Sequence, residues 1–541
     1  MSWETIAKEC RVKVLQAIPD RWRLNVDDYK SLKDVTGVPY TCGLLTEAQL
    51  KITEFTATEI VQQLQTQKLS AVQILEAFAG RAAIAHQLVN CLTEWFYDEA
   101  LEQAKKLDEA LQREGRVQGL LHGVPLGLKD IHRIKGHATT MAFVAGRNNI
   151  AQEDSAVVAA LRDAGAIFFC KTTMPQSAMA IETVSNLWGR TLNPLNRELN
   201  AGGSSGGDGV LVAMRGCPLS PSTDIGGSIR VPATFNGLYA LKPTAARIPK
   251  GGMPDLGQSL IQVSFGPICR SIEDMELLAR VINAHPFNKY DVTCTPVPWK
   301  DPKALKEKLR IGLLKWDGVV MPHPPVLRAL EHTRHVLETA GHEVIDFEPP
   351  FDCWQSLKTT FGIYYQGGAD QTLAALQESG EPLIPAISDL MRVFNVRQLP
   401  TVELLELHGK VRAYKDQFLA AWNETAVNSR PIDALICPPA PGVGYPHDFN
   451  TYWGYTALFN LVDYPSVILP IKGFNVTPEL DPVDANYQPS DTNPYDRANH
   501  EIYDPSLFSN TPSTIQIVGR PFEDEDLIQL VSVVDVLLRT P

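Results

Sequence analysis

The segment Gly202-Gly-Ser-Ser-Gly-Gly207 is the most informative part of the chain, because four of its six residues are glycine. Glycine serves where a backbone needs unusual dihedral angles or must approach another group closely. A flexible linker is disfavoured, since ordered apolar runs flank the segment. A phosphate-binding loop would end in Gly-Lys-Ser or Gly-Lys-Thr, whereas here Asp208 follows and repels phosphate. A nucleophile elbow centred on Ser204 needs a preceding strand, and residues 193–201 resemble a loop instead.

A second glycine-bearing turn follows in Ser222-Thr-Asp-Ile-Gly-Gly-Ser-Ile-Arg-Val-Pro-Ala233. Two glycines before Ser228 allow successive backbone N–H groups to point toward one place, which is how an oxyanion hole is built from the main chain. Asp224 and Arg230 bracket the turn with opposite charges that could hold it in shape. Taken alone, the segment is better explained as a tight turn with a surface ion pair.

Lys129 ends a short apolar segment, Gly123-Val-Pro-Leu-Gly-Leu128, that precedes it directly. A lysine at the end of a buried strand loses solvent, and burial lowers the pKa of its ammonium group. The neutral amine is then available as a base. The alternative is a lysine that extends into solvent or pairs with Asp130, and on Lys129 alone that alternative is favoured.

These three elements occur in one order along the chain, and together they resemble the amidase signature family. The resemblance rests on residues 123–130, 202–207, 223–233 and 241–244, and on the spacing between the two serines. Further family landmarks are residues 171–176, 266–271, 434–439, 459–461 and 515–520. Within the family the chain is most similar to the fungal acetamidase branch. Ser222 departs from the family pattern, which usually has glycine before the threonine.

The resemblance implies a role for each matching residue. Ser228 would be the acylated nucleophile, Ser204 the bridging serine on a cis peptide, and Lys129 the base. The implied oxyanion hole consists of the amides of Ile225, Gly226, Gly227 and Ser228. The implied supporting residues are Ser205, Asp224 and Arg230. The substrate-binding residues expected from family geometry are Thr140, Met141, Met174 and Ala178, with a further contribution from Trp354, Tyr364 and Tyr365.

The resemblance also implies the fold and the activity. The expected fold is α/β, with a large twisted mixed central sheet covered by helices on both faces. The expected reaction is hydrolysis of carboxylic amides to acid and ammonia or amine, with no metal and no cofactor, on small aliphatic amides such as acetamide. Hydrolysis of carbamates or aryl amides by the same triad remains an alternative, as does a non-catalytic scaffold of the same fold. Dimers are common in this family, so a homodimer is an open alternative to a monomer.

Composition limits the classes of partner. The formal net charge is −13, and an acidic chain without a long basic run repels nucleic acid. Nine scattered cysteines without a Cys-x-x-Cys pair indicate a reducing compartment. The absence of a signal-peptide pattern and of a long apolar run predicts a cytoplasmic protein without a membrane partner. His332 and His335 lack a third ligand pattern, so a solvated helix face is favoured over a metal site.

Texture along the chain predicts an N-terminal arm over residues 1–50, packed on a single domain over 51–541, with the signature core at about 120–252. Thr56 and Ser70 are predicted to begin helices as capping boxes, and Ser155 to cap another helix. Strands are predicted at 166–170, 311–314, 343–345, 432–437 and 466–470, and helices at 98–111 and 325–340. Residues 476–512 are rich in Asn, Asp and Pro and are predicted to form a long surface excursion.

Overall fold

The computed structural model describes residues 1–254, 260–284, 291–292 and 294–539, and most of its strands join one mixed sheet. The described strands are β1 (Leu92–Trp95), β2 (Pro125–Lys129), β3 (Ile167–Thr172), β4 (Val184–Ser185), β5 (Gly189–Arg190), β6 (Leu219–Asp224), β7 (Tyr239–Lys242), β8 (Ser264–Cys269), β9 (Arg310–Leu313), β10 (Glu343–Asp346), β11 (Ala434–Cys437), β12 (Ser466–Asn475) and β13 (Pro512–Val518).

The described helices surround this sheet. They are α1 (Trp3–Ala17), α2 (Val38–Thr41), α3 (Glu47–Glu54), α4 (Ala57–Gln65), α5 (Ala71–Val89), α6 (Tyr97–Glu114), α7 (Ala156–Asp163), α8 (Gly206–Ala213), α9 (Arg230–Phe235), α10 (Ile272–Ala284), α11 (Pro324–Thr339), α12 (Cys353–Tyr364), α13 (Asp370–Ser379), α14 (Pro385–Val393), α15 (Thr401–Glu424), α16 (Gly454–Leu461), α17 (Asp496–Ile502) and α18 (Asp524–Arg539). In the described part of the chain, no helix combines the length and apolar character needed to cross a bilayer.

The main sheet has eight strands in the order β10-β9-β11-β13-β12-β7-β8-β6. Strands β10, β9 and β11 pair in parallel, and the strands from β11 to β6 pair in antiparallel fashion. Every residue of β6, β7, β8, β9 and β11 is buried, as expected for strands that are covered on both faces. The large mixed sheet expected from the family resemblance is confirmed.

A second sheet of three strands, in the order β1-β3-β2, lies beside the first and contacts it through β2 and β6. The strand predicted at 166–170 belongs to this smaller sheet as β3. All five residues of β2 are buried, and Lys129 is the last of them. The contact between β2 and β6 brings Lys129 close to the end of the strand that leads into the Ser228 turn.

The first 50 residues form helices whose apolar faces join the largest hydrophobic cluster through Ala7, Val14, Ile18 and Trp22. The domain boundary at residue 50 stays a prediction. Capping boxes are present at Thr56 and Ser70, as predicted, and the same motif also begins α3.

The predicted cap at Ser155 is wrong in one respect. Helix α7 does begin after Ser155, but the Ser155 side chain makes no capping bond. The neighbouring Asp154 accepts a hydrogen bond from the Lys135 amide and pairs with Arg162 instead. The helix start is therefore held from the loop before it rather than by its own cap residue.

The prediction of a surface excursion over 476–512 is wrong for several of its polar residues. Asp481 is fully buried and forms a 2.6 Å ion pair with Arg328. Asp496 is also buried and accepts a hydrogen bond from the Met321 amide at 2.9 Å. Phe508 has no exposed surface. Composition was misleading here because Asn and Asp satisfy backbone groups in the interior as well as in exposed turns.

Candidate active site

Lys129 is fully buried, and its ammonium nitrogen contacts three hydroxyl groups. Its Nζ lies 2.8 Å from Ser204 Oγ, 2.9 Å from Ser205 Oγ and 2.9 Å from Thr223 Oγ1. Burial lowers the pKa of Lys129 to about 7, although the charges of Asp208 and Asp224 act in the opposite direction. A substantial fraction of the lysine is therefore the neutral amine near neutral pH.

The alternative that Lys129 pairs with Asp130 is wrong. Asp130 forms a 3.1 Å ion pair with Lys171, and both side chains are buried. The Asp130 carboxylate also accepts hydrogen bonds from the Thr140 hydroxyl and from Trp188 Nε1. Its negative charge is thus committed on the side of β2 away from the serines, which leaves Lys129 among hydroxyl groups alone.

The glycine-rich segment brings Ser204 and Ser205 to Lys129 just before α8 begins. The peptide bond between Gly203 and Ser204 is cis, as the resemblance implies. At Gly207 a Cβ atom would lie 2.4 Å from the Thr173 backbone nitrogen, so only glycine permits the close approach of α8 to the end of β3. The sequence argument that these glycines mark a close backbone contact is confirmed at this position.

Asp224 and Arg230 hold the Ser228 turn from inside the protein, and both are fully buried. The Asp224 carboxylate accepts hydrogen bonds from the amides of Gly227 at 2.8 Å and Ile229 at 3.1 Å. Arg230 donates to both of its oxygens, at 3.0 Å from Nε and 2.9 Å from Nη2. The interpretation as a turn with a surface ion pair is therefore wrong.

The charge state of Asp224 follows from this arrangement. Burial opposes its ionisation, but the charge and hydrogen bonds of Arg230, together with Asn460, outweigh burial and bring the pKa of Asp224 to about 2. Arg230 also donates to Gln516 Oε1 at 2.9 Å. The turn is thus fixed by an ionised carboxylate that is itself fixed by residues from α16 and β13.

One of the four amides expected to form the oxyanion hole is already used. The Gly227 amide donates to Asp224, so its assignment as an oxyanion donor needs correction. The amides of Ile225, Gly226 and Ser228 have no acceptor among the residues that the structure describes. A main-chain anion site at this turn therefore has three unengaged donors.

Ser228 lies in the same cavity as Ser204, but its hydroxyl makes no hydrogen bond with Ser204 or with any other described residue. The two segments are joined through the backbone instead, because the Ser205 amide donates to the Ser228 carbonyl at 3.2 Å. Rotation about one side-chain torsion reorients the Ser228 hydroxyl within this cavity. Catalytic hydrogen bonds are often unformed before substrate binds.

The cavity that contains Ser204 and Ser228 has a volume of about 410 Å³. Of the residues predicted to bind substrate, Met141 and Ala178 line it. The other apolar lining residues are Ile131, Met179, Ile225, Met253, Pro254 and Val263. The cavity therefore presents a largely apolar wall to whatever reaches Ser228.

Three other predicted pocket residues do not line this cavity. The Thr140 hydroxyl is turned inward to Asp130, and Met174 is buried in the main hydrophobic core. Trp354 packs against Phe394 and Tyr495.

Tyr364, from the same predicted segment, contacts the Ser228 turn directly, since its hydroxyl donates to the Ile225 carbonyl. Its effect on the site is thus on the backbone of the turn.

Sequence reasoning missed several residues that shape the site. Thr223 contacts Lys129, and its position next to Asp224 on β6 gave the only hint. Asn460 and Gln516 lie within segments that resembled family landmarks, but nothing in the sequence linked them to Arg230. The described residues contain no group of three or more His, Cys, Asp or Glu side chains arranged to hold a metal ion.

A mixed α/β fold with a buried lysine, adjoining serines and a glycine turn defines a hydrolase that uses serine chemistry. The amidase family model matches residues 73–528, and the chain belongs to the amidase family. The chain is 59% identical to an amidase of Gibberella zeae, over the whole of both chains. It is 38% identical to an acetamidase of Emericella nidulans, over 99% of this chain and 98% of the relative.

Solved structures agree with this assignment. A fatty acid amide hydrolase superposes with a TM-score of 0.92 and 30% identity, over 99% of this chain and 95% of that chain. A crystal structure of an amidase superposes with a TM-score of 0.70 over 88% of this chain and 98% of that chain, at 24% identity, which shows the fold alone. The chain is an amide hydrolase with the amidase-signature fold.

Proposed function

We propose that this enzyme hydrolyses carboxylic amides through an acyl-enzyme on Ser228, with Ser204 and Lys129 carrying the proton. The observation that carries the proposal is the 2.8 Å contact between Lys129 Nζ and Ser204 Oγ at a fully buried position. The lysine also lacks a carboxylate in contact with it among the described residues, so its basicity is set by burial. A buried amine with a pKa near 7 suits general-base catalysis.

The proton route follows from the hydroxyl chemistry. Ser204 can accept a proton from Ser228 and donate its own to Lys129, because a hydroxyl is donor and acceptor at once. Ser228 then attacks the amide carbonyl, and the developing oxyanion receives hydrogen bonds from the amides of Ile225 and Gly226 and from that of Ser228 itself. Each such donor is typically worth about 3 kcal/mol of barrier.

The leaving nitrogen needs the same proton back. Lys129, now an ammonium, returns the proton through Ser204 to the nitrogen, so ammonia or an amine departs as a neutral molecule. Water then attacks the acyl group on Ser228, and the same relay takes and returns a proton a second time. One route thus serves as base and acid in both half-reactions.

Small aliphatic amides such as acetamide are the first candidate substrates, because a full-length relative at 38% identity is named an acetamidase. The cavity favours a second candidate, amides with a longer apolar acyl group. A volume of about 410 Å³ lies in the range of pockets for ligands much larger than acetamide. Met141, Met179 and Met253 add flexible apolar wall, which accommodates chains of different shape.

The test is ammonia release from acetamide, hexanamide, benzamide and ethyl carbamate by the wild type and by Ser228→Ala, Ser204→Ala and Lys129→Ala. The expected result is loss of turnover in all three variants by two or more orders of magnitude. Ser466→Ala is the matched control, since Ser466 is a buried serine that donates to the Tyr464 carbonyl outside the cavity. The ranking of the four substrates distinguishes small amides, longer amides, aryl amides and carbamates.

Two results would contradict the proposal. Near-wild-type turnover by Lys129→Ala would remove the lysine from the mechanism. Failure of a fluorophosphonate to label Ser228 in the wild type, together with no turnover of any amide, would favour a non-catalytic scaffold.

A further inference from the structure

Asp208 is a fully buried carboxylate in the first turn of α8, three residues after Ser205. Its oxygens accept hydrogen bonds from the hydroxyls of Thr172, of Ser220 at 2.9 Å and of Ser222 at 2.8 Å. Among the described residues, no lysine, arginine or histidine nitrogen lies within ion-pair distance of it. A carboxylate surrounded by hydroxyl donors favours the ionised form, yet its charge has no cation in contact.

The other carboxylates around Lys129 are already neutralised. Asp130 pairs with Lys171, and Asp224 pairs with Arg230 at 2.9 Å. Asp208 is thus the one carboxylate of the three whose charge remains uncompensated by a contact within the described chain. Buried charges are normally paired, so this exception calls for an explanation.

Asp208 lies close to Lys129 without touching it. Lys129 Nζ contacts Ser205, the residue that precedes α8, and Asp208 is three positions further along on the same side of that helix. Ser220 Oγ lies within hydrogen-bond distance of both Asp208 and the Gly127 carbonyl, two residues before Lys129 on β2. The carboxylate and the amine are therefore joined by one layer of hydroxyl groups.

We propose that Asp208 is a positioning residue whose negative charge balances the ammonium formed when Lys129 receives the proton of Ser228 through Ser204. This inference rests on the proposed function of Lys129 as base. In the acylation step one proton moves to Lys129 and one negative charge appears on the substrate oxygen, while Asp208 stays ionised and gains no bond. The ammonium then has a counter-charge inside the protein until the proton passes to the leaving nitrogen.

Electrostatics supports this assignment. Burial lowers the pKa of Lys129, and the Asp208 charge is the largest single charge effect that raises it again. Burial raises the pKa of Asp208, and the hydrogen bond from Thr172 and the charge of Lys129 oppose that effect. The two groups therefore titrate as a pair.

The remaining titratable or charged groups near the pair are neutral or internally balanced. They are Asp224 with Arg230, Asp130 with Lys171, His132, and the thiols of Cys91, Cys170 and Cys217. Burial lowers the pKa of His132 to about 3 and raises the pKa values of the three thiols. Near neutral pH these groups hold no charge that could replace that of Asp208.

Ser222 gives the pair a feature particular to this chain. The family pattern usually has glycine at this position, and here the serine hydroxyl donates to Asp208 Oδ2 at 2.8 Å. A hydroxyl donor to a carboxylate favours its ionised form. Ser222 therefore keeps Asp208 charged at a lower pH than a glycine would.

The experiment measures amide turnover and the rate of fluorophosphonate labelling of Ser228 as functions of pH, for the wild type and Asp208→Asn. The wild-type rates should rise with pH through a midpoint near 7, where Lys129 becomes neutral. Removing the counter-charge makes the neutral amine easier to form, so the midpoint should move down by about one pH unit. The amine also becomes a weaker base, so the kcat plateau should fall about three- to tenfold with KM unchanged.

Two further variants keep the test decisive. Ser222→Ala should move the midpoint in the same direction by a smaller amount, and it carries the test if Asp208→Asn fails to fold. Asp274→Asn is the matched control, because Asp274 is a fully buried carboxylate that accepts hydrogen bonds from the Ala57 and Thr58 amides, remote from Lys129 in the fold. Its midpoint should equal that of the wild type even if its stability falls.

The proposal and the function beneath it fail in different ways. A folded Asp208→Asn with an unmoved midpoint and plateau, while Lys129→Ala is inactive, overturns the role of Asp208 and leaves the function intact. An unmoved midpoint in Ser222→Ala overturns it where the asparagine variant does not fold. Wild-type turnover by Lys129→Ala overturns the proposed function itself.

Discussion

Replacing Arg230 with methionine tests whether the Ser228 turn is held by its buried ion pair. The methionine fills much of the same volume but leaves the Asp224 carboxylate buried without its cation. Removing one partner of a buried pair typically costs about 3 to 5 kcal/mol. The pKa of Asp224, about 2 against an ordinary 3.8, independently corresponds to about 2 kcal/mol in favour of the ionised form. We therefore expect a loss of at least about 2 kcal/mol in the free energy of unfolding.

The pH dependence of stability provides a second reading of the same pair. A carboxylate whose pKa is lower in the folded state stabilises the protein above its ordinary pKa, and this stabilisation disappears as the pH falls through the folded value. For Asp224 the window runs from pH 3.8 down to about 2. Urea unfolding at pH 7 and at several points in this window should show the loss in the wild type and not in Arg230→Met.

The control is Arg412→Met, which breaks an exposed pair with Asp416 on α15 and should leave stability nearly unchanged. The double variant Asp224→Asn with Arg230→Met should recover part of the lost stability, because it removes the unpaired charge. A single Arg230→Met variant as stable as the wild type, with full ammonia release, would refute the reasoning that the pair holds the turn.

Three further changes test the site. Tyr364→Phe removes the hydrogen bond to the Ile225 carbonyl, and kcat should fall severalfold with the melting temperature nearly unchanged, measured by ammonia release and calorimetry. Gly227→Ala should abolish turnover while tryptophan fluorescence stays native, since φ is +132° there and a Cβ would lie 2.4 Å from Thr456 Oγ1. Thr223→Val removes one of the three hydroxyls around the buried lysine, which should lower the midpoint of the pH–rate profile; a raised or unchanged midpoint would contradict this.

The sequence allowed the local chemistry to be predicted better than its supports. Lys129, Ser204 and the Ser228 turn were found because glycine density and an apolar run are visible in short segments. The roles of Asn460 and Gln516 could not be found, because both contact Arg230 from more than 200 positions away in the chain. Local pattern carries no information on which distant strand a side chain reaches.

The errors have physical causes as well. Thr140 was expected at the substrate, but its hydroxyl satisfies the buried Asp130 instead. Gly227 was expected to donate to an oxyanion, but the Asp224 carboxylate competes for the same amide at 2.8 Å. In both cases a buried carboxylate took the donor, and only three-dimensional structure reveals where such a carboxylate lies.

The bond between Arg230 and Gln516 also has a consequence for how the enzyme is made. Gln516 lies on β13 in the middle of the main sheet, where it pairs with β11 and β12. During synthesis this strand leaves the ribosome after nearly all of the chain, so the central sheet stays unfilled and the Arg230 guanidinium lacks this partner until then. A nascent or truncated chain that ends before β13 therefore contains every residue of the proposed triad and still lacks the final support of the turn.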